Sequence, residues 1–322
     1  MPAMSAMPAH RSGGVRLKER GKDIGFALGW GAVRKMPEPT ARRVFTRVAD
    51  EAWRRQGKGV RRLRANLARV APGADLDDLT REGIRSYARY WLEVFRLPDM
   101  SAERILKDMY VRDEQRIFES HARGKGVILA LPHMGNWDHA GAWLVHRGIP
   151  FTTVAERLQP ESLFDRFVAF RESLGMEVVA LTRGQDEPGG AAPYPPFPPR
   201  DEPFDLLADR LEAGRMLCLL SERDLTRNGV PVTFFGEIAT MPAGPAALCL
   251  RTGATLLPTT VWFTPNGWEG QIYPPVAHTD IPTMTQTMAD DFAASIAAHP
   301  QDWHMLQRLW RADLGTRSTL PS

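Results

Sequence analysis

Only two cysteines occur in 322 residues. Cys218 and Cys249 both sit inside apolar runs, LCLL and ALCLR, so a disulfide framework is excluded and a reducing compartment is expected. No apolar run approaches the roughly 18 residues that read as a membrane-spanning helix. The Arg-rich N-terminus also lacks the apolar stretch of a signal peptide, so a soluble or peripheral protein is expected, not an integral one. There is no G-x-S-x-G elbow, which removes the usual serine nucleophile of an α/β hydrolase. Internal repeats are missing too, which excludes a solenoid. Acidic residues are scarce at one end: residues 1–70 hold 17 Lys/Arg against 5 Asp/Glu, although the net charge of the whole chain is only +3. That basic stretch, with Phe26, Trp30, Phe45 and Trp53 scattered through it, reads either as a solvated helix face or as a surface for anionic headgroups or nucleic acid.

What is present is ordinary globular material, 43% hydrophobic and 25% charged, in a chain long enough to bury a substantial core. Residues 1–22 have no periodicity and read as disordered; residues 23–314 read as one domain and 315–322 as a flexible tail. From Ile24 to about Val70 the apolar spacing is helical, broken by Pro37 and Pro39. A further helix is expected from Leu79 to Phe95, with the stripe Tyr87-Tyr90-Trp91 read as core. Beyond it, strands alternate with helices: 127–131, 152–155, 178–181, 216–220 and 255–262 are the strands, and Gln271-Ile272-Tyr273 is a candidate edge. Such alternation predicts an α/β fold, a mostly parallel central sheet flanked by helices. Residues 184–203 carry seven prolines and read as an inserted surface loop.

The chemistry gathers at strand ends. The run Val127-Ile128-Leu129-Ala130-Leu131 suits a strand buried on both faces, and it leads into a turn carrying His133. Open α/β sheets place their sites there. Pro132 and Gly135 shape the turn, Asn136 can hydrogen-bond locally to hold it, and Asp138 is expected to accept from one imidazole nitrogen. A His–Asp pair with no protein nucleophile suits direct transfer, in which the base activates a hydroxyl of an acceptor. A metal bound by His133, Asp138 and His139 lacks the further His/Cys ligands to complete a shell. At the end of the strand Met216–Leu220, the residues Glu222, Arg223 and Asp224 form a second charged group, with Glu222 able to support the dyad or bind an acceptor hydroxyl. Phe234-Phe235-Gly236 reads as an aromatic turn, lipid-facing or a core plug.

The segments LPHMGNWDHAG, TTVAERLQPESLFDRFVAFRESLG, LSERDLTRNGVPVTFFGE, MPAGPAALCLRTGATLLP and AAHPQDWHMLQ, in this order, resemble the actinobacterial phosphatidylinositol mannoside acyltransferases, within the wider lipid A biosynthesis (lauroyl/myristoyl) acyltransferase family. The likeness runs from about residue 23 to 314. It implies transfer of a fatty acyl group, typically palmitoyl, from acyl-CoA as co-substrate to a mannose hydroxyl of phosphatidylinositol mannoside. It also implies work at the cytoplasmic face of the plasma membrane, on an anionic surface, with no nucleic acid and no cofactor. Carried over residue by residue, His133 and Asp138 match the family's base and its partner. Glu222 matches the acidic residue that completes a charge relay. Glu156 and Arg171 match polar residues of the cleft, and Arg157 and Asp224 fall in shared segments. Trp137 and Trp143 are expected near an apolar slot for the acyl chain, and the oxyanion donors are expected among turn N–H groups or an Arg. The loop 184–203 is longer than the resemblance implies. A related acceptor glycolipid, a thioesterase or a non-catalytic lipid- or nucleic-acid-binding protein are the competing readings.

Overall fold

The computed structural model describes residues 29–156, 161–181, 202–224 and 229–314. The expected disordered terminus 1–22, the tail 315–322, residues 184–201 of the Pro-rich stretch and Arg157 lie outside the described residues. A helical segment at 29–35 leads into three helices, α1 (Glu38–Arg54), α2 (Lys58–Val70) and α3 (Leu76–Arg96). Asp75 starts α3 by accepting the N–H groups of Asp77 and Asp78, and two acidic residues in the first turn suit the positive end of its dipole. Ile84, Tyr90 and Val94 fall on its buried face, while Leu63 and Leu67 of α2 pack against Ile84 in a small cluster of their own.

The chain then alternates. It runs through α4 (Ala102–Lys107), β1 (Met109–Arg112), α5 (Gln115–Ala122), β2 (Val127–Leu131), α6 (Trp137–His146), β3 (Phe151–Glu156), α7 (Glu161–Ser173), β4 (Glu177–Leu181), α8 (Glu202–Glu212) and β5 (Met216–Leu220). A hairpin, β6 (Val230–Phe234) and β7 (Glu237–Met241), precedes α9 (Gly244–Thr252), β8 (Thr255–Phe263), β9 (Trp268–Ile272) and α10 (Ile281–Ala298). Seven strands form one sheet in the order β1-β9-β8-β2-β5-β3-β4. Every pairing is parallel except β8 with β9. The expected α/β class and mostly parallel sheet are what the chain adopts.

β2 lies in the middle and all five of its residues are buried. Ile128 and Ala130 point into the core shared with α8, α9 and α10, whereas Val127, Leu129 and Leu131 point into the core shared with α3 and α6. One detail differs from the sequence reading. Gln271 and Ile272 are not at an edge: β9 is the second strand, covered by β1, which was too short to announce itself. Phe234 is a plug, 1% exposed between Trp303 and Trp310, with Phe235 and Gly236 at positive φ making the hairpin turn. Among the described residues no helix is long and apolar enough to cross a membrane.

Candidate active site

β2 and β5 are parallel neighbours with Leu131 opposite Leu220. Residues two further on therefore leave the sheet side by side, and these are His133 and Glu222. Glu222 Oε1 accepts the backbone N–H of His133 at 2.6 Å and meets its ring Nδ1 at 2.8 Å. A carboxylate there holds the proton on Nδ1 and leaves the Nε2 lone pair facing outward as a base. The His133 side chain is 29% exposed, while that of Glu222 is fully buried. Several contacts hold the turn. The Met134 N–H bonds Pro132 O at 2.8 Å, closing a three-residue turn on His133. Gly135 has φ +59°, and a Cβ there would sit 2.4 Å from the carbonyl oxygen of Val261, so only glycine fits. Asn136 caps α6 by accepting the His139 N–H at 3.0 Å, and its amide donates to Glu93. Asn136 is 1% exposed, so it braces the turn and is not available to a substrate.

Asp138 is not the imidazole's partner. Its Oδ2 accepts from the Tyr90 hydroxyl at 2.8 Å and its Oδ1 from Arg171 Nε at 2.8 Å. Five residues across a turn-to-helix junction fix no common direction. Here the Trp137 ring packs against both His133 and Tyr90, meeting His133 edge-on at 5.4 Å and stacking on Tyr90 at 4.3 Å. Burial, reinforced by Asp138, pushes the Tyr90 hydroxyl well above its ordinary pKa. Burial alone would lower Arg171, but the Asp138 carboxylate outweighs it and holds the guanidinium charged. Tyr90 is thus a site residue that the helical stripe disguised as core. A buried tyrosine needs a partner for its hydroxyl, and that requirement is the signal that points to it.

An apolar cavity opens on the α6 face of the sheet. Leu131 and Leu220, the strand ends that deliver His133 and Glu222, line it with Leu129, Cys218, Trp137 and Trp143. The charged residues of its lining are Asp138 and Arg171. Trp137 touches both the cavity and His133, so the slot adjoins the base. Cys218 and Cys249 are free thiols, each pushed up by burial, Cys249 to about 12. His139 faces away from His133: it stacks on Trp268 at 3.6 Å, and burial lowers it to about 3. Glu156 is half-buried at the end of β3, and Arg223 is half-buried beside Glu222. Asp224 accepts the Gly229 N–H at 3.0 Å, which ties the start of the hairpin to the end of β5.

With that geometry in place, the chain can be set beside known proteins. A phosphatidylinositol mannoside acyltransferase of Mycolicibacterium smegmatis is 50% identical over 308 residues, covering 94% of this chain and 96% of that one. Proteins of the same name from two Mycobacterium tuberculosis strains are 49% and 48% identical over 299 residues, covering 91% of this chain and 89% of theirs. The profile of the bacterial lipid A biosynthesis acyltransferases matches residues 16–312. The chain belongs to the bacterial lipid A biosynthesis acyltransferase family.

Proposed function

We propose that this acyltransferase moves a fatty acyl group, palmitoyl in the first instance, from acyl-CoA to a mannose hydroxyl of phosphatidylinositol mannoside. The observation that carries the reading is the His133–Glu222 pair at the rim of an apolar cavity. The names of the 48–50% identical relatives support the acceptor. The acyl chain enters the cavity, where each methylene taken out of water contributes about 0.8 kcal/mol. His133 Nε2 takes the proton of the sugar hydroxyl as its oxygen attacks the thioester carbonyl. The new C–O bond forms, the C–S bond breaks, and the imidazolium returns its proton to the CoA thiolate, so no acyl-enzyme is needed. Glu222 steadies the imidazolium in between. The donors for the oxyanion are the Trp137 and Asp138 N–H groups at the start of α6, which begins four residues past His133, and the Arg171 guanidinium of the cavity lining.

Peripheral attachment at the cytoplasmic face of the plasma membrane is part of the same proposal. On α1, Val44 and Val48 are 38% and 61% exposed, and exposed Arg43 and Arg47 flank them. Valines to enter the headgroup region and arginines to meet anionic lipid suit such a surface. The test is purified protein with labelled palmitoyl-CoA and a panel of phosphatidylinositol mannosides. Labelled acylated glycolipid is expected. Release of free fatty acid alone, at the same rate with and without acceptor, would make the protein a thioesterase.

A further inference from the structure

Ser86, Asp302 and His304 are the residue types of a hydrolase triad, but their order rules out that use. The Ser86 hydroxyl lies in the middle, 2.6 Å from Asp302 Oδ1 and 2.9 Å from His304 Nε2. All three residues are buried, with Ser86 only 8% exposed, so no substrate carbonyl reaches its oxygen. The second Asp302 oxygen, Oδ2, accepts the Phe263 N–H at the end of β8, at 3.0 Å. A carboxylate that takes both donors leaves the Ser86 oxygen to accept the Nε2–H of His304, while the His304 Nδ1 is buried without a hydrogen-bond partner among the described residues. The array joins α3, β8 and the 302–304 segment.

What that segment holds is the backbone of the base. Met134 and Trp303 form an antiparallel bridge. His304 N–H donates to His133 O at 2.8 Å, and Gly135 N–H donates to Asp302 O at 2.8 Å. The peptide groups on both sides of Met134 are thus fastened to a three-residue strap, and the strap is fastened by its side chains to Ser86. From the opposite side Glu222 holds the His133 N–H. We propose that Ser86, Asp302 and His304 are positioning residues for His133, setting its backbone so that the imidazole meets Glu222 on one side and the substrate hydroxyl on the other. The proposal rests on His133 being the base.

The groups that face His133 are Glu222 from the end of β5, His304 from the strap and, past Trp137, the Tyr90–Asp138–Arg171 set from α3, α6 and α7. Loosening the strap lets the imidazole drift from Glu222 and from the substrate hydroxyl. Ser86→Ala is therefore expected to lower kcat about 10–100-fold and leave KM for acyl-CoA nearly unchanged. Ser86→Thr, which keeps the oxygen, recovers most of the rate. Asp302→Asn gives the same pattern and serves if Ser86→Ala does not fold. Leu256→Ala, at the far end of β8 and fully buried, loses stability but keeps kcat. Wild-type kcat in Ser86→Ala, or a fall that Ser86→Thr does not recover, overturns the proposal while leaving the base intact. Transfer that survives in His133→Ala overturns both.

Discussion

Neutralising Asp138 leaves the Arg171 guanidinium buried with one fewer counter-charge, and removing Arg171 strands the carboxylate. Asp138 is 2% exposed, the Arg171 side chain 17%, and their closest atoms are 2.8 Å apart. At an effective dielectric of 20, unit charges about 4 Å apart interact by about 4 kcal/mol. Breaking a buried pair from one side costs roughly 3–5 kcal/mol, because the surviving charge keeps its desolvation penalty. Asp138→Asn and Arg171→Met should each cost that much in urea unfolding, with Tm falling by about 5–15 °C. The double variant no longer buries a lone charge, so it should cost less than the sum of the two by up to about 3 kcal/mol. Tyr90→Phe removes one donor to the same carboxylate and should cost about 1.5–3 kcal/mol alone. Strict additivity of the two single costs would refute the reasoning.

Three other outcomes can be checked with the same protein. Ala140 lines the cavity from α6, and Ala140→Phe should shift donor preference toward shorter acyl chains, by about 0.8 kcal/mol for each methylene no longer housed; competition between acyl-CoAs of different length measures it. Burial lowers His139 and His304 to about 3, so between pH 3 and 6.5 the unfolded chain binds the extra protons. Stability is then fully present above about pH 6.5 and is lost as pH falls, by about 2 kcal/mol per histidine between pH 7 and 5. His139→Phe should remove one such share, as read by urea midpoints at the two pH values, whereas Asp291, raised to about 6 by burial and by Asp290, acts in the opposite sense in both proteins. Replacing Arg43 and Arg47 by Ala should weaken binding to vesicles containing anionic lipid about 30-fold, at roughly 1 kcal/mol per charge, with the difference shrinking in high salt. Equal binding by both proteins at low salt would count against α1 as the membrane surface.

β2, β5 and β8 are legible in the sequence because they are buried on both faces, which leaves short unbroken apolar runs with polar residues at their ends. His133 and Glu222 stand out for the same reason, as charged or titratable groups just past such runs. What joins them is strand register: β3 follows β2 in the chain, yet β5 lies beside β2, and adjacency of that kind is a long-range fact. The same limit hid the true partners of Asp138, which come from α3 and α7, 48 and 33 residues away. Local spacing put Asp138 near His133, but its carboxylate is held by Tyr90 and Arg171. β1 has only four residues, too few to show alternation, and its pairing with β9 turned an expected edge into an inner strand. In α3, Ser86 and Tyr90 read as ordinary positions on a helix, since their partners at 302, 304 and 138 become visible only when the fold closes.

The most direct measurement is the rate of labelled acyl transfer from palmitoyl-CoA to phosphatidylinositol mannoside by the wild type, His133→Ala and Glu222→Gln, each shown to be folded. The account predicts transfer by the wild type and background rates for His133→Ala. For Glu222→Gln it predicts a loss of about 10²–10⁴-fold in kcat. Wild-type-like transfer by His133→Ala would contradict it.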